Sequence, residues 1–254
     1  MTLLHAFLLG IIEGITEFLP ISSTGHLILS SRLLGIEPSE YLTTFVIAIQ
    51  LGAILAVLTL YGRQLLTQRG LWSRLAIAFA PTAVLGLAFY PLIRSLLDGT
   101  DVVLKALAIG GVLMIVFERW YREPADAGED LSQMPHRSAF LIGLAQSVAM
   151  IPGVSRAAAT VCGGLMLGLS RRAIIEFSFL LALPTMAAAT GLDVLKNADL
   201  LLSVSPWPLI VGFVTSWLVA MLAIRWLMSF VRTHDFTAFG IYRIIIALSL
   251  WFVL

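Results

Sequence analysis

Apolar residues run along this chain in stretches long enough to cross a lipid bilayer. A spanning helix needs about 20 mostly apolar residues. The pattern therefore predicts six spanning helices, at 42–60, 75–93, 103–119, 174–192, 207–228 and 237–254.

Two further regions, 3–36 and 138–169, do not fit a simple span. Each has an apolar half, a break that contains Pro20 or Pro152, and a second half rich in small residues. Each half is about 15 residues long, which is too short to cross the bilayer comfortably. We expect two re-entrant helix–turn–helix hairpins, because irregular backbone at membrane depth must be buried in protein or line a wet cavity. A kinked but complete spanning helix is the alternative.

The two broken regions resemble each other. Ala6–Gly10 matches Ala139–Gly143, and Glu13 then matches Gln146. After one gap, Pro20 matches Pro152 and Ser23 matches Ser155. The chain is therefore predicted to be one membrane domain, 1–254, made of two repeats at about 1–122 and 137–254. The polar linker between them covers 123–136.

The basic residues predict that the two halves have opposite orientations, as in an inverted-topology repeat. Lys and Arg mark the cytoplasmic side, and ten of the 16 fall on one face in this arrangement: Arg63, Arg69, Arg74, Arg119, Arg122, Arg137, Arg171, Arg172, Arg225 and Arg232. The opposite face receives Arg32, Arg94, Lys105 and Lys196, while Arg156 and Arg243 stay in the membrane. Both termini are then expected outside. Such repeats usually place a site near the midplane.

Composition supports an all-α integral membrane protein. Of the 254 residues, 59% are hydrophobic and 12% are charged, whereas soluble domains average about 25% charged residues. The net charge of +1 provides no basic surface for nucleic acid. A single cysteine, Cys162, excludes an internal disulfide and a cysteine-built metal site.

Glu13 and Glu17 are four residues apart and share one helical face. Two carboxylates in an apolar helix repel each other unless a positive charge lies between them. Hard divalent cations prefer such oxygen ligands, so a metal site is predicted. The alternative is that one glutamate is a protonated, structural hydrogen-bond donor.

Hydroxyls and an imidazole follow at the first break, as Ser22, Ser23, Thr24 and His26. A helix that begins there can bind phosphate through its free N–H groups. Ser23 is the predicted nucleophile and His26 its base, while Ser22 and Thr24 are predicted to bind substrate. Ordinary N-caps and an interhelical histidine hydrogen bond are the alternatives.

The second break contributes Ser155, Arg156 and Thr160. A membrane-buried guanidinium needs an anion, and its geometry matches phosphate oxygens. These three residues are predicted to bind and stabilise a phosphoryl group; a structural ion pair of Arg156 with either glutamate is the alternative. Gln50 is expected to line the same cavity or to bond a neighbouring helix. Glu176 and Arg243 are charges at membrane depth that could pair with each other as a structural link.

Four stretches together resemble one known family. Glu13–His26 is similar to the glutamate-rich signature of the bacterial undecaprenyl-diphosphate phosphatases of the bacitracin-resistance type, and Pro152–Arg156 resembles their second signature. The stretches Glu176–Pro184 and Ala238–Arg243 also resemble that family. One departure is Ala157, where the family usually has serine.

The resemblance implies hydrolysis of undecaprenyl diphosphate to undecaprenyl phosphate and inorganic phosphate, which recycles the carrier lipid for peptidoglycan and other cell-envelope polymers. It implies a divalent cation, Mg²⁺ or Ca²⁺, and a site that opens to the outer face of the bacterial inner membrane. Attack by metal-bound water instead of Ser23 stays open. The expected partners are the polyprenyl diphosphate and membrane lipid, with a homodimer compatible with the chain.

A polyprenyl-phosphate flippase is the alternative function, because inverted repeats with broken helices are typical of transporters. A hydroxyl–imidazole pair beside two carboxylates favours the enzyme. A phosphatase of the acid-phosphatase-like membrane superfamily fits poorly, because its lysine-rich first motif and its later Arg…His pair are missing.

Overall fold

The computed structural model describes residues 1–97, 100–196, 199 and 205–252 of the chain. Over those residues the regular secondary structure is helical, with one isolated β-bridge between Gly128 and Leu169. The α-helices are α1 (Leu3–Thr16), α2 (Ser23–Leu33), α3 (Glu40–Thr67), α4 (Arg69–Ala88), α5 (Tyr90–Leu97), α6 (Thr100–Trp120), α7 (His136–Ser147), α8 (Arg156–Met166), α9 (Arg171–Lys196), α10 (Trp207–Phe230) and α11 (Thr237–Trp251). The prediction of an all-α protein is confirmed.

Within the described part of the chain, five helices are long and apolar enough to cross a membrane: α3, α4, α6, α9 over Arg171–Gly191, and α10. They coincide with the first five predicted runs, although α4 ends at Ala88 instead of 93. The helix α5 begins at Tyr90, and Pro91 in its first turn lacks the N–H that would bond back to α4. The sixth run, 237–254, corresponds to α11, which has 15 residues and is about 22 Å long; the last two positions lie outside the described residues.

Both broken regions consist of two short helices around an irregular turn. In the first, α1 and α2 have 14 and 11 residues, and in the second, α7 and α8 have 12 and 11. Each break ends in a serine with positive φ, 72° at Ser22 and 77° at Ser155, and a helix begins at the next residue. Non-glycine residues seldom adopt this conformation. The two conformations match Ser22 with Ser155, which corrects the sequence-based match of Ser23 with Ser155 by one residue and removes the gap.

Glycines bring the first helix of each hairpin close to a long helix. A Cβ on Gly10 of α1 would lie 2.7 Å from the carbonyl oxygen of Gly212 in α10. A Cβ on Gly143 of α7 would lie 1.9 Å from the carbonyl oxygen of Ala78 in α4. Small residues permit this close backbone approach between membrane helices. Both hairpins are therefore packed in the same way, each against a long helix from the other half of the chain.

The Arg243 guanidinium joins the two breaks. It donates to the Pro20 carbonyl oxygen in the first break at 3.2 Å, and to those of Gly153 and Val154 in the second at 2.9 Å each. Its remaining two bonds go to α6, through the carbonyl oxygens of Ala106 and Leu107. An arginine side chain has five N–H donors, so all are used. The absence of a side chain at Gly110 makes space for this guanidinium, because a Cβ there would lie 2.2 Å from Arg243 Nη2.

The expected ion pair between Glu176 and Arg243 is therefore wrong. The Glu176 carboxylate instead accepts a hydrogen bond from the Gln64 amide. Arg243 is fully buried, and its charge is compensated by carbonyl dipoles. The breaks leave carbonyls without helical partners, and three of these accept hydrogen bonds from the guanidinium.

A second polar cluster lies where α6 ends and α9 begins. Arg171 at the start of α9 contacts Glu118 near the end of α6 through two bonds of 2.6 Å, and Glu123 of the linker at 3.4 Å. Glu118 also accepts from the Phe236 backbone N–H just before α11. The linker therefore lies next to the turns that precede α9 and α11.

We predict that Arg243→Lys lowers the thermal midpoint of the detergent-solubilised protein. An ammonium group has three donors, so at least two of the five hydrogen bonds of Arg243 would be lost, at about 1.5–3 kcal/mol each for bonds from a charged group. Arg225→Lys, at an exposed position of α10, is the matched control. Equal midpoints for the two variants would contradict the role given to Arg243.

Candidate functional site

A cavity of about 240 Å³ lies where the two breaks meet. Its polar lining comes from both hairpins and from α3: Glu17, Ser22, Ser23, Thr24, Gln50, Ser155 and Arg156. Ala149, Pro152, Gly153, Met186 and Ala189 complete the wall. Most of the predicted site residues are therefore neighbours, although the two hairpins are more than 100 residues apart in the chain.

Glu17 is the centre of this polar lining. Its Oε1 accepts from Arg156 Nη2 at 3.1 Å, and its Oε2 accepts from the Ser23 hydroxyl. Only 5% of the Glu17 side chain and 13% of the Arg156 side chain are exposed. The Glu17 carboxylate thus bonds both to Ser23, the candidate nucleophile in the first hairpin, and to Arg156, the positive side chain in the second. The structural alternative for Arg156, an ion pair with a glutamate, is part of the same arrangement.

Three contacts hold the Arg156 guanidinium in place. Besides its bond to Glu17, it donates to the carbonyl oxygen of Ser178 in α9 at 2.8 Å. Its carbon lies 6.0 Å from the ring centroid of Phe18, within the range of a cation–π contact. Buried Arg156 Nε has no hydrogen-bond partner among the described residues. These hydrogen bonds orient the guanidinium and use two of its five N–H donors.

Glu13 lies one helical turn before Glu17 and is not among the residues that line the cavity. It is fully buried, and neither carboxylate oxygen has a hydrogen-bond donor among the described residues. The charged groups that act on it are the Glu17 carboxyl and the Arg156 guanidinium. A buried carboxylate without donors is costly. Two arrangements meet this need: a protonated carboxyl that bonds to Glu17, or a ligand that supplies positive charge.

His26 does not contact Ser23 as predicted. Its Nδ1 is 2.8 Å from the carbonyl oxygen of Ser22, and its Nε2 is 2.9 Å from the hydroxyl of Tyr242. The Ser23 hydroxyl bonds to Glu17 instead. The helical geometry is the reason, because the imidazole folds back over the carbonyl four residues before it. In this arrangement Glu17, not His26, is placed to accept the proton of Ser23.

The hydroxyls of the second break are turned toward its own backbone. Ser155 Oγ accepts from the Ala158 N–H at 3.2 Å, as an N-cap does. Thr160 donates to the Arg156 carbonyl oxygen at 2.8 Å and is not among the cavity-lining residues, which corrects its predicted place in the substrate site. Ala157 lines a separate space of about 10 Å³ together with Phe18 and other side chains. The hydroxyl that the family usually has at position 157 would therefore point away from the main cavity.

Two contributors were missed in the sequence, Tyr242 and the Ser178 carbonyl. Tyr242 is polar and adjacent to Arg243 in an otherwise apolar helix, which is a usable signal. A backbone carbonyl leaves no trace in the sequence, so Ser178 could not have been identified. At one cavity the site combines a serine hydroxyl that is hydrogen-bonded to a carboxylate, an oriented guanidinium and the N-termini of two helices. These groups together suit an anionic phosphoryl group.

Comparison with known proteins agrees with this chemistry. The family described as bacitracin resistance protein BacA matches residues 6–249. A relative from a Sulfurihydrogenibium species is 49% identical over 99% of this chain and 100% of its own length. Relatives from Aquifex aeolicus and Thermus thermophilus are 45% and 46% identical, over 98% and 96% of this chain and 97% and 94% of their own. All three are named undecaprenyl-diphosphatase.

We predict strong energetic coupling between Glu17 and Arg156. Removing one partner of a buried ion pair costs about 3–5 kcal/mol, because the other charge is left uncompensated. The double variant Glu17→Met/Arg156→Met should therefore be destabilised much less than the sum of the two single variants. The free energies of unfolding, compared in a double-mutant cycle, measure this coupling. Additivity within about 0.5 kcal/mol would show that the two groups do not interact.

Proposed function

The chain belongs to the family of the bacitracin resistance protein BacA, and we propose that it hydrolyses undecaprenyl diphosphate to undecaprenyl phosphate and inorganic phosphate. The activity recycles the lipid carrier for peptidoglycan and other cell-envelope polymers. The observation that carries the proposal is the contact of Glu17 with both Ser23 and Arg156 at the meeting point of the two breaks.

The diphosphate would lie in the cavity, with its terminal phosphoryl group between Ser23 and Arg156. Ser23 Oγ bonds to the terminal phosphorus while its proton passes to Glu17, and the bridging P–O bond breaks with its electron pair on the leaving undecaprenyl phosphate, which then takes that proton. Water next cleaves the phosphoserine; its hydroxide joins phosphorus and its proton returns to Ser23 Oγ. Arg156 and the N–H groups at the start of α2 stabilise the charge on the phosphoryl oxygens.

Glu13 and Glu17 would hold a divalent cation, Mg²⁺ or Ca²⁺. The fit rests on the two Glu13 oxygens that lack donors and on the preference of hard cations for carboxylates. Over the described ranges the structure has no cluster of three or more acidic, histidine or cysteine ligands. Two carboxylates suffice for Mg²⁺, which usually keeps several waters and takes substrate phosphate oxygens as well. When bound, the cation neutralises phosphate charge.

We place the protein in the bacterial inner membrane as an inverted repeat of two halves. Reciprocal packing supports this, since α1 packs on α10 as α7 packs on α4. The contact of Arg171 with Glu118 and Glu123 brings together segments that the charge pattern assigns to the cytoplasmic side. In this topology α11 is the sixth span, the two hairpins are re-entrant, and both termini and the cavity mouth face the periplasm. The side chains of Arg94 and Lys196 lie outside the described residues. A homodimer stays a prediction.

The alternative, a polyprenyl-phosphate flippase, draws on the same broken helices. A transporter has no need for a serine hydroxyl bonded to a carboxylate beside a cation. That arrangement favours hydrolysis.

We predict that Ser23→Ala lowers phosphate release from undecaprenyl diphosphate by about 100-fold or more, because it removes the attacking group. Ser31→Ala, in the same helix and with a hydroxyl that has no partner among the described residues, should retain activity. The measurement is metal-supplemented phosphate release in detergent. Turnover of folded Ser23→Ala near that of the unmodified protein would favour direct attack by water.

We also predict that Glu13→Gln raises the thermal midpoint in metal-free buffer, because it removes a buried charge without donors. Saturating Mg²⁺, at about 100 times its Kd, should stabilise the unmodified protein by about 2.7 kcal/mol and leave Glu13→Gln unchanged. Glu37→Gln, at an exposed position, is the control and should keep the Mg²⁺-dependent shift. An equal shift in Glu13→Gln would contradict the metal assignment.

A further inference from the structure

We propose that Tyr242 is a positioning residue of this site, acting through His26 on the Ser22 hinge. The proposal rests on the proposed function, since it concerns how Ser23 is held for the reaction. It assigns to His26 a structural bond on each ring nitrogen.

The hydrogen bonds define the protonation of His26. A carbonyl oxygen only accepts, so the contact of 2.8 Å with Ser22 requires a proton on Nδ1. In the neutral imidazole Nε2 is then an acceptor, and the Tyr242 hydroxyl at 2.9 Å is its donor. The two rings are also parallel, with centroids 5.6 Å apart and an interplanar angle of 5°. The Ser22 carbonyl thereby fixes the tautomer, and Tyr242 fixes the plane of the imidazole.

The Ser22 carbonyl is the point where this chain of bonds reaches the site. It accepts from His26 Nδ1 and also from the His26 backbone N–H, at 3.2 Å. Ser22 has a φ of 72°, a conformation that persists only where its surroundings impose it. Ser23 follows directly, so any relaxation of the hinge moves its hydroxyl away from Glu17.

The second break shows what the first one lacks. At the equivalent hinge, the Ser155 hydroxyl caps its own helix by accepting from the Ala158 N–H. Ser22 makes no such side-chain bond. The position equivalent to His26 in the second half is Ala159, where no imidazole is needed. His26 and Tyr242 therefore stabilise the first hinge from outside it, whereas Ser155 stabilises the second hinge with its own side chain. The N–H groups at the start of α2 are thereby left for a phosphate.

Helix α11 consequently holds the first break at two points. Arg243 bonds the Pro20 carbonyl within the turn, and Tyr242 acts through His26 on Ser22 at its end. Two consecutive residues of one helix fix the segment that precedes Ser23.

The first test is Tyr242→Phe, which keeps the stacked ring and removes the hydroxyl. We expect kcat for phosphate release to fall about 10- to 100-fold, because small misplacement of a reacting group has costs of that size, with KM within about twofold. Tyr121→Phe is the matched control, since its hydroxyl has no partner among the described residues. An unchanged kcat in Tyr242→Phe would overturn the proposal.

The second test separates positioning from proton transfer. His26→Asn keeps an N–H near the Nδ1 position and should retain more activity than His26→Ala. Adding Tyr242→Phe to His26→Ala should cause no further loss, because both act through one bond to Ser22. If His26→Asn is as inactive as His26→Ala, or if the two losses multiply, His26 or Tyr242 acts in another way and the proposal fails.

A spectroscopic test does not depend on turnover. In ¹⁵N-histidine NMR of the detergent-solubilised protein, the signal assigned through His26→Asn should show the Nδ1–H tautomer, and Tyr242→Phe should shift its Nε2 resonance. An unmoved Nε2 resonance would count against the positioning role. Absence of phosphate release by the unmodified protein would count against the proposed function instead.

Discussion

One buried guanidinium organises this fold. Arg243 donates all of its N–H groups to backbone carbonyls, three of them in the two breaks and two in α6. A buried irregular turn needs partners for its free carbonyls, and a buried cation needs acceptors. The Arg243 guanidinium supplies donors for the carbonyls of the breaks, and those carbonyls supply acceptors for the guanidinium. Because the same group holds both turns, the distance between the hairpins is set by hydrogen bonds of defined length, and the position of Ser23 relative to Arg156 depends on it.

The two halves share a backbone plan and differ in side chains. At matching hinges, Ser22 and Ser155 adopt the same unusual φ, yet a histidine–tyrosine pair supports the first and a self-cap supports the second. The first half supplies Glu17 and the Ser23 hydroxyl, whereas the second supplies Arg156. A negative and a positive contribution from opposite halves therefore meet in one cavity. Neither half could form this site without the other.

The sequence was sufficient for the helical class, for five of the long helices, for the two breaks and for the meeting of Glu17 with Arg156. These predictions rest on apolar run length, on proline and on the cost of a buried charge, all of which act locally. Hydrogen-bond partners were harder to predict, because they depend on how helices are rotated about their axes. His26 was assigned to Ser23 from spacing alone, but the imidazole points toward Ser22 and Tyr242. Arg243 was assigned a carboxylate because unsatisfied carbonyls are invisible in a sequence.

Packing alone does not explain the carboxyl group of Glu13, as a comparison with Gln146, its counterpart in the second half of the chain, shows. Gln146 occupies the matching position of the second half; it is buried as well, and its amide donates to the hydroxyls of Thr82 at 2.8 Å and Thr185 at 3.3 Å. A neutral side chain of the same shape therefore fits this place in the fold. The Glu13 carboxyl has no donor among the described residues, and in its charged form that arrangement lowers stability. Glutamine satisfies the packing at the matching place, so packing alone gives no reason for a carboxyl at Glu13, and this supports the proposal of a cation beside Glu17.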